Sequence, residues 1–149
     1  MDTVPTATAF VFCHPIEITT QDIDAMGHVN NAVYLQWVQE AVVRYWQHRS
    51  PPQAQTELLW VALKHVIVYR LPLFLEDQVE AHVMATATRG TRASFTTLFK
   101  RGDNLVAEAR SSWCCVDATT RRPRRIASDI ARAFLPNDGR PVDFHEQPD

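Results

Sequence analysis

One stretch, running from Asn30 or Asn31 to about His48, constrains what the rest of the chain can become. Tyr34, Trp37, Val38, Ala41, Val42 and Tyr45 recur at i, i+3 and i+4 spacing, and Leu35 and Trp46 widen the stripe. Gln36, Glu40, Arg44 and Gln47 leave only a narrow polar face. A helix this apolar has to be embraced by other structure rather than laid on a surface. Asn30 is the better N-cap, and Ser50-Pro51-Pro52 stops the helix because proline cannot continue its hydrogen-bond ladder.

Almost everything else reads as strand. A first strand spans Ala9 to Ile18, with Phe10, Phe12, Ile16 and Ile18 on one parity and Pro15 as a bend. Leu58 to Leu71 alternates through Leu59, Val61, Leu63, His65, Ile67 and Tyr69. Gln78 to Thr88 alternates through Val79, Ala81, Val83, Ala85 and Ala87. Turns at Arg89-Gly90-Thr91-Arg92 and Gly102-Asp103-Asn104 flank a strand with Phe95, Thr97 and Phe99 on one face. Leu105 to Asp117 follows, with Leu105, Ala107, Ala109, Ser111 and Trp113 aligned. Such short turns force antiparallel neighbours. After the basic turn Arg121-Arg122-Pro123-Arg124-Arg125, Ser128 to Leu135 reads as a short helix capped by Ser128.

The expectation is one α+β domain over residues 1–149, with a core at about 9–135 and a frayed tail at 136–149. A curved antiparallel sheet of five strands must wrap the single long helix, since that helix is the only available partner for its apolar face. The other face would carry Lys64, Val66, Val68, Glu80, His82, Met84 and Thr96. Its mixed polarity leaves room for a second copy, so a homodimer or homotetramer is expected.

Composition excludes several classes of function. A net charge of -2 provides no basic field for nucleic acid. No apolar run approaches the roughly 18 residues that span a bilayer, and the N-terminus lacks a basic stretch before an apolar one. Cys13, Cys114 and Cys115 form no disulfide framework, which suits a reducing, cytoplasmic setting. With no CxxC, no HxxxH and scattered histidines, neither a metal nor a cofactor is expected.

Reactive groups concentrate in Asp22-Ile23-Asp24-Ala25-Met26-Gly27-His28-Val29-Asn30-Asn31, just ahead of the long helix. Read alone, Asp22 and Asp24 are turn or cap residues as readily as catalytic ones, and His28 can simply bond backbone. Tyr34 can be core or pocket wall, while His65 and His82 read as structural. The order of elements, and the pattern D-x-D-x-x-G-H-V-N-N-x-x-Y-L opening a helix after a strand, resembles the hotdog-fold acyl-CoA thioesterases of the 4-hydroxybenzoyl-CoA thioesterase family over roughly Phe10 to Leu135.

The resemblance implies hydrolysis of acyl-CoA thioesters in a cofactor-free dimer or tetramer with sites at subunit interfaces. It makes Asp24 the nucleophile or general base and the Asn31 backbone N–H the oxyanion donor, with His28 as a further catalytic candidate. Thiolate is already a good leaving group, with an ordinary cysteine-like thiol pKa of about 8.5, so one carboxylate can suffice. Gly27, Tyr34, Arg89 and Arg92 are the expected substrate-binding residues, since the phosphates of coenzyme A suit guanidinium groups. An acyl carrier protein could present the same thioester. Two rivals remain: a hotdog dehydratase or hydratase using His28 with Asp24, and a non-catalytic acyl-CoA-binding module.

Overall fold

The structure is a computed structural model and describes residues 10–135. Residues 1–9, which include the start of the expected first strand at Ala9, and the expected tail at 136–149 lie outside the described residues. The elements are β1 (Val11–Ile16), a short 3-10 turn (Thr20–Asp22), α1 (Asn31–Arg49), α2 (Pro52–Glu57), β2 (Leu58–Tyr69), β3 (Val79–Arg89), β4 (Arg92–Arg101), β5 (Asn104–Asp117) and α3 (Ser128–Phe134). All five strands form one antiparallel sheet in the order β1-β3-β4-β5-β2, so β1 and β2 are its edges. Pro15 is tolerated because β1 is an edge strand.

The helix α1 packs against β1, β2, β3 and β4, which is the wrapped-helix architecture of the hotdog fold. Tyr34, Trp37, Val38, Ala41, Val42, Tyr45 and Trp46 are its buried residues, the set picked out by the helical spacing. They meet Val79, Ala81, Val83, Ala85, Phe95 and Phe99 on the inner face of the sheet. At the far end Phe134 of α3 packs its ring on Tyr45, Trp46, Trp60 and Phe95, and the Tyr45 hydroxyl donates to the Phe134 carbonyl at 3.3 Å. Burial pushes the phenols of Tyr45 and Tyr34 up to about 12.

Several expectations are corrected. Between α1 and β2 stands a short helix that the sequence reading did not place: Pro51 is the N-cap of α2, and Pro52 sits in the first turn, where its missing N–H costs nothing. The N-cap of α3 is Ala127, not Ser128, and no side chain caps it. The alternation of β2 breaks at a bulge between Ala62 and Lys64. His65 and Ile67 face inward as expected, but Leu59, Val61 and Leu63 are exposed while Trp60 and Ala62 pack on the core. One extra residue in an antiparallel pair reverses the facing of everything on one side of it. Similar shifts fall between Ala85 and Ala87 and opposite Val106. They pair Ala87 with Ser94 and Leu105 with Lys100 on the outer face, instead of leaving both inside.

His65 lies edge-on to Trp113, and neither ring nitrogen has a hydrogen-bond partner. Desolvation lowers its pKa from the ordinary 6.5, so the unfolded chain takes up the proton first. This contribution to stability is complete above the unfolded value and is lost as pH falls below it. The expected result is a melting temperature that drops as pH falls below about 6.5. His65→Leu should flatten that part of the profile in a parent-minus-variant comparison.

Candidate active site

The loop from Asp22 to Asn30 is closed on itself before it meets α1. Ile23 and Val29 form an isolated antiparallel bridge. Within it the Asp24 N–H donates to the His28 carbonyl at 3.0 Å, and the Gly27 N–H donates to the Asp24 carbonyl at 3.0 Å. Gly27 has φ +85°, a conformation that L side chains rarely adopt, and a Cβ there would meet nothing within 4 Å. Glycine is required here by the backbone bend, and the space beside it is open to an incoming molecule.

The Asp24 side chain is about a quarter exposed. Its Oδ1 accepts the Met26 N–H at 2.9 Å and lies 3.9 Å from His28 Nδ1, leaving Oδ2 without a hydrogen-bond partner among the described residues. The same His28 nitrogen is 3.4 Å from the Val29 carbonyl oxygen, so His28 flanks the carboxylate. Asp22 has a different task. Its Oδ2 accepts the Thr19 N–H at 2.8 Å, and its carbonyl accepts the Asn30 N–H at 2.9 Å. That makes Asp22 a structural brace for the loop.

The start of α1 explains which amide is left for chemistry. The first turn of a helix has donors with no intrahelical partner. Asn30 is the N-cap, and its side-chain oxygen accepts the Ala32 N–H at 2.9 Å. Its carbonyl accepts the Val33 N–H at 3.0 Å. The cap therefore consumes the donors of the second and third helical residues. The Asn31 N–H has no hydrogen-bond partner among the described residues, and the helix dipole adds partial positive charge at that position. A free amide in this setting can stabilise a developing oxyanion.

Two supports were not visible in the sequence. The Tyr69 hydroxyl, at the end of β2, donates to the Asn31 carbonyl at 2.8 Å. The Val29 N–H donates to the carbonyl of Leu73 at 2.8 Å, and Leu73 is fully buried in the β2–β3 connection. Arg101 anchors that connection through Asp77 Oδ2 at 3.0 Å and the Pro72 carbonyl at 3.2 Å. Both contacts join residues about 40 positions apart in the chain, so no local spacing signals them.

Tyr34 and the two arginines occupy different surroundings. Tyr34 is 2% exposed, with its ring against Trp37, Tyr69 and Phe99, so it is core rather than a pocket wall. Arg89 and Arg92 face each other across the β3–β4 turn. That turn is the length of β3 away from the connection that holds the loop, about 30 Å along the strand. Within one copy, Arg89 and Arg92 do not join Asp24.

At that same end an apolar cleft of about 510 Å³ opens between α1 and β2. Val43 and Trp46 of α1, Leu59, Trp60 and Val61 of β2, and Arg121 line it. Arg121 holds φ 63°, and its N–H donates to the Asp117 carbonyl at 2.8 Å. Among the described residues, no helix is long and apolar enough to cross a membrane.

Known proteins agree with this architecture. A family model described as the thioesterase-like superfamily matches residues 18–134. An acyl-CoA thioester hydrolase of Escherichia coli, YbgC, is 28% identical over 128 residues, covering 83% of this chain and 96% of the relative. A thioesterase from Thermus thermophilus, solved with coenzyme A and zinc, superposes with a TM-score of 0.73 at 24% identity, covering 87% of this chain and 96% of that one. A 1,4-dihydroxy-2-naphthoyl-CoA thioesterase from Synechocystis gives 0.71 at 16% identity, covering 84% and 96%. With most of the chain matched, and with an acid and a free helix-start amide in one loop, this protein belongs to the thioesterase-like superfamily.

Proposed function

We propose that this protein hydrolyses acyl-CoA thioesters to the free acid and coenzyme A. The observation that carries the reading is the loop itself. It holds a carboxylate with one free oxygen and ends on a helix-start N–H that its own cap leaves unused. The E. coli relative named as an acyl-CoA thioester hydrolase supports the same chemistry.

The reaction has two balanced routes through the same atoms. In one, Asp24 takes a proton from water as the water oxygen attacks the thioester carbonyl. The tetrahedral oxyanion is held by the Asn31 N–H, the C–S bond breaks, and the thiolate takes a proton. In the other, the Asp24 carboxylate attacks the carbonyl, the thiolate leaves, and water hydrolyses the resulting mixed anhydride. Either route uses an oxyanion donor worth about 3 kcal/mol. A thiol-release screen over short, long and aromatic acyl-CoAs is expected to find turnover. Hydration of an enoyl thioester without thiol release would instead establish the hydratase reading.

The active assembly is proposed to be a homodimer built on β2. This edge strand has 12 residues, and its exposed side chains include Val61, Leu63, Val66 and Val68. A long apolar edge invites another strand, and a second copy's β2 is the self-complementary choice about a two-fold axis. Antiparallel pairing sets the Tyr69 end of one copy beside the Leu58 end of the other. The first end carries Asn31 and its loop, and the second carries the apolar cleft, Arg121 and the Arg89–Arg92 turn. The acyl group would enter the cleft of one copy while its thioester meets Asp24 of the other. Arg89 and Arg92 would then serve the partner's site. Sedimentation as a monomer at all concentrations would remove this arrangement. The three free thiols suit a reducing, cytoplasmic setting.

A further inference from the structure

The outer face of the sheet, opposite α1, carries a group of side chains that hydrolysis does not use. Cys13 of β1 and His82 of β3 are direct cross-strand partners, and Cys13 Sγ lies 3.4 Å from His82 Nδ1. Glu80 stands two residues before His82 and therefore on the same face, with its Oε2 3.8 Å from His82 Nε2. Pro15 is Glu80's partner on β1 and brings no competing polar group. One ligand atom from each of Cys13, His82 and Glu80 falls within 4.8 Å of the others. Their inward neighbours His14 and Ala81 sit on the opposite face, where His14 reaches Glu40 of α1 at 3.6 Å. The cluster is thus separated from the helix by the sheet itself.

The geometry points to a transition-metal site of the zinc class, with Cys13 thiolate, His82 Nδ1 and Glu80 carboxylate as three protein ligands and a fourth position left to water. Zinc–sulfur and zinc–nitrogen bonds at a tetrahedral angle place the two ligand atoms about 3.6 Å apart. The Cys13–His82 pair stands at 3.4 Å without any rearrangement. Glu80 must swing from Nε2 toward the metal, which its 59% exposed side chain allows. A thiolate, an imidazole and a carboxylate form a borderline-soft set that suits Zn²⁺ or Co²⁺ better than Mg²⁺ or Ca²⁺. The metal replaces the thiol proton, so each ion bound releases one proton to solvent. Lys100 is the cation opposite Glu80 on β4, and the two anionic ligands outweigh it. Binding would tie edge strand β1 to β3.

Cobalt(II) titration of the intact protein tests this with a signal independent of activity. The expected result is a thiolate-to-cobalt charge-transfer band that saturates at one equivalent and is displaced by zinc. The band should be lost in Cys13→Ser and in His82→Gln and retained in Cys114→Ser. In a second measurement, zinc should abolish alkylation of Cys13 by iodoacetamide, followed by mass spectrometry. No band at equimolar cobalt, a band that survives Cys13→Ser, or alkylation of Cys13 unaffected by zinc would each overturn the assignment.

Discussion

Replacing Asp24 with asparagine is expected to lower kcat for thiol release by about 10²–10⁴-fold with little change in KM. Asparagine keeps the shape of the side chain, and its amide oxygen can still accept the Met26 N–H that Asp24 Oδ1 accepts at 2.9 Å. The loop closure also survives, because the bonds from Asp24 to His28 and from Gly27 to Asp24 are made by backbone atoms. What disappears is the negative charge and the ability to attack a carbonyl or accept a proton. Circular dichroism and the melting temperature should therefore match the parent while turnover collapses. His28→Ala is expected to cost less than Asp24→Asn, since His28 lies 3.9 Å from the carboxylate and shares its nitrogen with a backbone carbonyl. Unchanged thiol release in Asp24→Asn across the acyl-CoA panel would remove Asp24 from the chemistry.

What could be read from the sequence follows from how local each signal is. The helix α1, its Asn30 cap and the inner residues Phe95, Thr97 and Phe99 depend on spacing within a few residues, and they emerged intact. The bulges at Ala62/Lys64 and Ala85/Ala87 did not, because a bulge is a mismatch between two strands and neither strand encodes it alone. The candidate loop could be singled out because D-x-D-x-x-G-H is contiguous. Tyr69 and Leu73 were invisible because they reach the loop from the other end of a crossover. Tyr34 stayed open between core and pocket wall for a related reason: helical position gives the face but not the depth, and Phe99 and Tyr69 close over it. The Cys13–His82 pair shows the same limit from the metal side. Linear spacing such as CxxC finds clusters within one segment, while Cys13 and His82 become neighbours only through strand pairing.

Subunit complementation should give the largest effect beyond Asp24, because the proposed β2 pairing would divide one site between two copies. Asp24→Asn leaves the cleft intact but removes the carboxylate. Val43→Trp keeps the carboxylate but fills the cleft from its exposed wall on α1. Val43 is 44% exposed, so the larger side chain does not disturb the core. Each variant alone should be nearly inactive as a homodimer. When the two are mixed and allowed to exchange subunits, half of the dimers at random pairing are heterodimers. Each heterodimer combines one parental cleft with one parental Asp24 at a single site. The mixture should therefore recover about a quarter of parental activity. Sites contained within one copy would make the mixture no more active than the average of the two homodimers. Recovery thus requires that the acyl group and the carboxylate acting on it come from different chains. The unpaired β2 edge would then be a working part of catalysis, because it aligns the helix start of one copy with the apolar cleft of the next.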